Sequence, residues 1–509
     1  MEQKSQPLHL RKTAVDLFLI FLLSILSITY FLRHNPEHLL IFDDSYITLR
    51  FAANFFKYGR ITYDGTTFLS GATSPLHIIF IALLGLFMEM EEASLVIGVM
   101  FFFFSSLLVY LWTFALYNNR GCALLGGVLM STSGWLIFDA LNGLETTTFI
   151  CLSLLTFYLY YCYQHKPFYT IPLVLSILTR PEGWFIAGAL FIWEFIKFGM
   201  KNKKALRTFL TTAGLFMLLI TPYGLLSFYC TGSLLPGTAF SKAVYFGESS
   251  IPVINKAGCF INGLLLFYKT LLYPALLLLL PVVLCASKVI SLTYLWLYYG
   301  IFCLIYFLFF PCSIKHYWCR YQHIFIPMLI LALSGGAFEL LKRCTQRTVK
   351  ISLTGFIALA IIYNQSLSFT SAENTYKEEM SSTRNTKIAL ARWLKDNTPA
   401  HALIALHDIG AVGYFSERNI LDLVGLVNPE VTRYYLDQRS NMPLSLSKRN
   451  IINYLKEKRP DYLVMFPEWD KFFNVLHPAN KKYFRLIYTT LPLYPTEMRY
   501  HVYECNWTL

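Results

Sequence analysis

Apolar runs recur along this chain at a length of about 17 to 25 residues, which matches the hydrocarbon thickness of a bilayer. They fall near 14–32, 95–116, 121–141, 147–164, 168–179, 184–200, 208–229, 262–286, 290–310, 322–341 and 349–366, of which only 168–179 is shorter. Lipid offers the backbone no hydrogen-bond partners, so such runs must fold as helices. Composition agrees: 55% of the 509 residues are hydrophobic and 14% charged, against about 25% charged in a soluble chain. The sequence therefore predicts a polytopic α-helical membrane protein with about 11 transmembrane helices.

The cations set the orientation. Arg120, Lys166, the 197–207 cluster, Lys288 and the 342–347 cluster lie between apolar runs, as cytoplasmic loops do. Eleven crossings from a cytoplasmic amino terminus put all of them inside and the carboxyl terminus outside. The net charge of +13 is thus a topology signal, and no nucleic-acid partner is expected. One further apolar stretch, 74–90, would invert every later loop if it crossed fully, so a short or re-entrant helix is expected there. From about 370 the composition becomes soluble, dividing the chain into a membrane part (1–369) and an external α/β unit (370–509). In that unit 383–399 reads as an amphipathic helix, and 402–406, 419–423, 461–466, 484–490 and 499–505 as short strands.

Polar residues in the external segments are the candidates for function. "IFDDSYITLRFAANFFKYG" (41–59) opens with adjacent Asp43 and Asp44. Tyr46, Arg50, Asn54 and Tyr58 follow at spacings of three or four, which share one helical face. An interfacial helix of this kind holds a carboxylate just above the lipid headgroups. There a partner acid and partial desolvation raise its pKa toward that of a general base. The plain alternative is that the two acids solvate a loop. "LSGATSPLH" (69–77) is small and polar through Ser74 to Pro75, a helix-starting residue.

"DALNGLETT" (139–147) and "TRPEG" (179–183) set Asn142, Glu145, Arg180 and Glu182 at an external membrane boundary. Ions at that depth are usually paired or functional, although helix-end snorkelling also accounts for Arg180. "TGSLLPGTAFSKA" (231–243) and "CSIKHYWCRYQH" (312–323) add Lys242, Lys315, His316, Arg320 and His323. Such a group suits an anionic phosphate at the lipid surface, or equally the headgroups themselves. No His spacing typical of metal sites is present, although a divalent metal stays possible. In "ALHDIGAVGYFSERNILDLVGLVNP" (405–429), His407 and Asp408 sit at a strand end, where α/β proteins often hold ligands. Structural capping by Asp408 is the competing reading.

Taken in order, "DDSYITLRFAAN", "GATSPLH", "NGLETT", "TRPEG", "LLPGTAFSKA" and "HDIGAVGYFSERNILDLVGLVNP" resemble the bacterial integral-membrane glycosyltransferases of the GT-C class. Within that class the chain is most similar to the subgroup typified by mycobacterial terminal arabinofuranosyltransferases, over about residues 40–466. The resemblance implies a polyprenyl-phosphate sugar donor and a glycan or glycolipid acceptor. It also implies reaction on the periplasmic face of the bacterial inner membrane, with Asp43 or Asp44 as base. Lys242, His316, Arg320 and Arg180 would then face the donor phosphate. A transporter or flippase of a lipid-linked sugar is the alternative from another class.

Overall fold

The computed structural model describes residues 10–69, 71–163, 166–199, 203–232, 251–271, 282–434, 451–490 and 499–508. Lys242, with most of the 231–243 motif, lies outside the described residues. The chain is mostly helical. Among the described residues, five helical segments are long and apolar enough to cross a membrane: Thr13–Leu32, Met90–Tyr117, Leu206–Thr231, Ser313–Arg343 and Arg347–Asn397. Arg120–Ser131 and Gly134–Ala140, bent by 55° at their junction, make a sixth if taken as one span.

Other expected crossings form shorter apolar helices, at Thr146–Cys162, Pro167–Thr179 and Thr293–Phe309, while part of the 262–286 run lies outside the described residues. The 74–90 stretch becomes Pro75–Leu84, started by Pro75, followed by a separate helix from Met90. Ten residues rise only about 15 Å, half a hydrocarbon core.

Ionic residues tie the helices together at both ends of the first span. Arg120 Nε and Nη2 donate to buried Asp16 at 2.7 and 2.6 Å, and the Tyr110 hydroxyl adds a bond of 2.9 Å. An acid within an apolar helix is tolerable only with such partners. At the other end Glu373 receives Arg33 (2.8 Å), His34 (2.9 Å) and Lys377 (3.0 Å). These pairs pin the long helix Arg347–Thr383, which runs unbroken through residue 369, to the exit of the first.

Five strands form at Leu403–Leu406 (β1), Asn419–Asp422 (β2), Tyr462–Met465 (β3), Phe484–Thr489 (β4) and His501–Cys505 (β5). Their order is β2-β1-β3-β5-β4, with β2, β1 and β3 parallel and β5 antiparallel to both β3 and β4. The parallel strands carry unbroken apolar stretches such as "LIAL", as strands covered on both faces do. The short helix Ala411–Ser416 connects β1 to β2 and packs on the Asp43–Tyr58 helix. That contact places the sheet beside the segment between the first span and residue 75.

Candidate active site

The Asp43–Tyr58 helix ends at Gly59, whose φ of +66° is the left-handed conformation that suits glycine. Its residues divide into two stripes. Asp43, Tyr46, Arg50 and Asn54 form the first. Asp43 accepts the Gly410 amide at 2.8 Å and the Ala411 amide at 3.0 Å, capping the Ala411–Ser416 helix. Arg50 donates to the carbonyls of Gly413 (2.7 Å), Arg418 (3.2 Å) and Tyr63 (3.1 Å). Tyr46 bonds both the amide and the carbonyl of Leu40, and Asn54 the carbonyls of Thr62 and Tyr63. This stripe is a docking seam. Burial pushes the Asp43 carboxyl up to about 6, against Lys387 and the two amides. That value would suit a base, yet both oxygens are engaged, and geometry precedes pKa.

The seam is tight. A Cβ on Gly410 would lie 1.8 Å from the Asp43 carbonyl oxygen and 2.6 Å from its carbon, backbone atoms that cannot swing aside. Gly410→Ala should therefore separate the surfaces and destabilise the protein by at least about 1–3 kcal/mol. Thermal unfolding of the detergent-purified chain would show it, and an unchanged melting temperature would refute the contact.

The second stripe faces space. Asp44, Ile47, Thr48 and Phe51, with Thr73, Ser74, Glu145 and Arg320, line a cavity of about 70 Å³. Arg320 and Glu145 also line a neighbouring cavity of about 140 Å³ with Arg180, Glu182, Tyr306 and Tyr321. Arg180 grips Glu182 through Nη2 (2.7 Å) and Nε (3.2 Å), and stands 3.7 Å from Glu145. Tyr306 completes the cluster at 2.8 Å from Glu182. Burial would raise the Glu182 carboxyl, but Arg180 and Tyr306 hold it below its ordinary value. Arg180 is thus largely neutralised.

Arg320 is not. Its side chain is 6% exposed and its Nη2 lies 3.6 Å from Asp44 Oδ2, while Nε and Nη1 have no hydrogen-bond partner among the described residues. An apolar cavity of about 260 Å³, lined by Ile177, Pro181, Trp184, Met217, Ile220 and Leu225, shares Thr73 with both of the cavities that Arg320 lines and Pro181 with the larger.

Arg320 follows an unusual turn. Tyr317, Trp318 and Cys319 adopt φ of 46°, 58° and 65°, a run of left-handed non-glycine residues that costs roughly 1–2 kcal/mol each. Tyr317 stacks on Phe42 at 4.0 Å, and the Trp318 carbonyl meets His323 Nε2 at 3.0 Å. His323 in turn meets buried Asp139 at 2.6 Å. Strain of this kind persists only where surroundings enforce it.

Of the other candidates, His316, His407 and Asp408 border a further cavity of about 110 Å³ with Asp44. Asn142 is fully buried and structural: its carbonyl accepts Ser45 Oγ at 2.6 Å and its side chain the Leu144 amide. Thr73, Tyr306, Tyr317, Tyr321 and Trp469 line these cavities and carried no sequence signal of their own. Among the described residues no three His, Cys, Asp or Glu side chains group so as to hold a metal ion.

Residues 373–503 match the family described as "Domain of unknown function (DUF8728)". No curated protein sequence matches the chain. Among solved structures, ArnT from Cupriavidus metallidurans in the apo state aligns with a TM-score of 0.55 at 12% identity, over 91% of this chain and 93% of that one. The same protein bound to undecaprenyl phosphate aligns at 0.54 and 12%, over 96% and 97%. A variant of the mycobacterial arabinofuranosyltransferase AftD gives 0.47 at 14% identity, over 98% of this chain and 42% of that one. The chain accordingly has a GT-C-like membrane fold, shared nearly end to end with ArnT.

Proposed function

We propose that this protein is an inverting glycosyltransferase. It moves a sugar from a polyprenyl-phosphate donor to an envelope glycan or lipid acceptor on the periplasmic face of the bacterial inner membrane. The eleven apolar runs serve as its crossings and residues 370–509 as its periplasmic unit. The observation that carries the reading is Arg320, a buried guanidinium with two unpartnered nitrogens 3.6 Å from a carboxylate that borders open space. A buried cation without full compensation calls for an anion. The apolar cavity that meets the same space at Thr73 supports a lipid as the bearer of that anion.

The chemistry then follows from position. Asp44 takes the proton of the acceptor hydroxyl as its oxygen attacks the anomeric carbon. The bond from that carbon to the phosphate oxygen breaks, and the lipid phosphate leaves with the electron pair, its charge held by Arg320. One displacement inverts the anomeric centre. ArnT has been solved with undecaprenyl phosphate bound, which supports a lipid of this class here.

Native mass spectrometry of the purified full chain with undecaprenyl phosphate tests the donor side. A retained one-to-one adduct, displaced by excess lipid phosphate but not by phosphatidylglycerol, is expected. No adduct, or displacement by either lipid alike, would overturn the assignment.

A further inference from the structure

Asp139 and His323 line none of the cavities around Arg320, and the transfer step uses neither. Asp139 lies near the end of the bent helix Gly134–Ala140, and His323 stands three residues beyond Arg320 in the short helical stretch Arg320–Phe325. Their side chains are 0% and 2% exposed, and His323 Nδ1 meets Asp139 Oδ2 at 2.6 Å. The imidazole packs between Trp135 and Phe267, with ring centres 5.9 and 6.3 Å away. Asn142 Nδ2 donates to the other Asp139 oxygen at 3.3 Å.

The far side of the imidazole grips backbone. His323 Nε2 lies 3.0 Å from the Trp318 carbonyl oxygen. A carbonyl only accepts, so Nε2 donates. A second proton lies between Nδ1 and the carboxylate, because two bare acceptors repel at 2.6 Å. Both ring nitrogens are therefore committed. Replacing a buried ion pair by apolar groups is often neutral or stabilising, so stability alone is a poor reason for this one. Its place in the fold gives a better reason. Trp318 is the middle of three consecutive left-handed residues, and it lies at the surface. Water could take up its carbonyl if the imidazole let go, and the turn could then relax.

That turn aims Arg320. Handedness reverses between Cys319 and Arg320, whose φ returns to −50°, so rotation within the turn redirects the guanidinium. Tyr317 carries the effect to the acids. Its ring stacks on Phe42, which precedes Asp43, and the Arg320 Cζ lies 5.1 Å from the ring centres of both Tyr317 and Tyr321. A relaxed turn would withdraw Tyr317 from Phe42 and from the guanidinium, and separate Arg320 from Asp44. Misplacing a positioned group by about 1 Å can cost on the order of 100-fold.

We propose that His323, oriented by Asp139, is a positioning residue for the donor: by holding the Trp318 carbonyl it keeps the left-handed turn wound and Arg320 aimed at the lipid phosphate. The proposal rests on the reading of Arg320 as the phosphate-binding cation. Neither residue touches lipid or sugar, and their effect passes through Arg320.

Undecaprenyl phosphate is titrated into the full chain in nanodiscs, with unfolding midpoints measured alongside. Asp139→Leu combined with His323→Phe replaces the pair by apolar groups. This apolar variant should bind the lipid at least about tenfold more weakly with no fall in its midpoint. Asp139→Leu combined with His323→Gln keeps a donor for the Trp318 carbonyl and should recover to within about threefold of the parent. Added to Arg320→Gln, the apolar pair should cost no further affinity, because no guanidinium is left to aim. An affinity loss matched by a fall in the midpoint, no recovery with Gln, or an additive loss on top of Arg320→Gln overturns the proposal. If the apolar variant does not fold, weak binding by a folded Gln form still overturns it. A parent chain that binds no undecaprenyl phosphate removes the donor reading and this proposal with it. Equal binding by the parent and the apolar variant removes the positioning role alone.

Discussion

Asp44→Asn should yield a folded protein that binds undecaprenyl phosphate normally but transfers sugar at least about 100-fold more slowly. The amide cannot take a proton from an attacking hydroxyl, whereas its size and hydrogen-bonding edge leave the cavity wall in place. Asp43→Asn should behave in the opposite way. An amide offers one acceptor where Asp43 meets the two backbone N–H groups of Gly410 and Ala411. Leaving one buried N–H opposite an NH₂ costs about 1–3 kcal/mol, so this variant should lose stability before chemistry. The measurement is product glycan by mass spectrometry in cells, at matched protein levels, beside thermal unfolding of each variant. Full transfer by Asp44→Asn would remove the base. It would also leave a flippase, which needs no base, as the better account.

The second large effect concerns Arg320. Arg320→Gln should weaken lipid-phosphate binding at least about 100-fold, since losing one member of a buried charge pair costs 2–5 kcal/mol or more by typical estimates, roughly 3 here. Arg320→Lys should fall between, because an ammonium keeps the charge but not the planar fork that meets two phosphate oxygens. Arg180→Gln is expected to act differently. Its guanidinium already serves Glu182 and Glu145, so removal strands two buried acids and harms folding more than affinity. Titration of the lipid into each purified variant, with unfolding midpoints measured alongside, separates these outcomes. Equal lipid affinity for Arg320→Gln and the parent would remove the cation from the donor site.

Much of this was readable in the sequence, and the part that was not has a physical cause. The helical spacing of Tyr46, Arg50 and Asn54 after the acid pair does put them on one face. Sequence does not say what that face meets. Tyr46 and Asn54 bond nearby backbone, whereas Arg50 reaches carbonyls at 413 and 418, more than 360 positions away along the chain. Successive residues on a helix differ by about 100° in direction, and that rotation alone turns Asp43 toward the sheet and Asp44 toward the cavity. Ser74, Glu145, Arg180, Glu182, His316, Arg320, His407 and Asp408 border the cavities. Tyr46, Arg50 and Asn142 serve the backbone instead.

The five strands lie within the short runs at 402–406, 419–423, 461–466, 484–490 and 499–505. The number of crossings is harder to read. Helices such as Thr146–Cys162 fall just short of a full span by length, and their neighbours bury them, so apolarity alone does not separate a crossing from an internal helix. Phe51 and Trp469 illustrate the same ambiguity: an aromatic suited to the lipid interface is also suited to a core or a cavity wall.

The long helix Arg347–Thr383 sets a mechanical condition on everything beyond it. Its 37 residues extend about 56 Å, nearly twice the depth of the oily layer. It is anchored near its far end by Glu373 and by the Thr383 hydroxyl on the Ile41 carbonyl at 2.7 Å. Adding or deleting one residue between the anchors and the membrane would spin the upper portion by about 100° and shift it about 1.5 Å. The cap on Gly410 would then swing out of reach. The helix acts as a geared post, whose side chains can drift while its tooth count cannot.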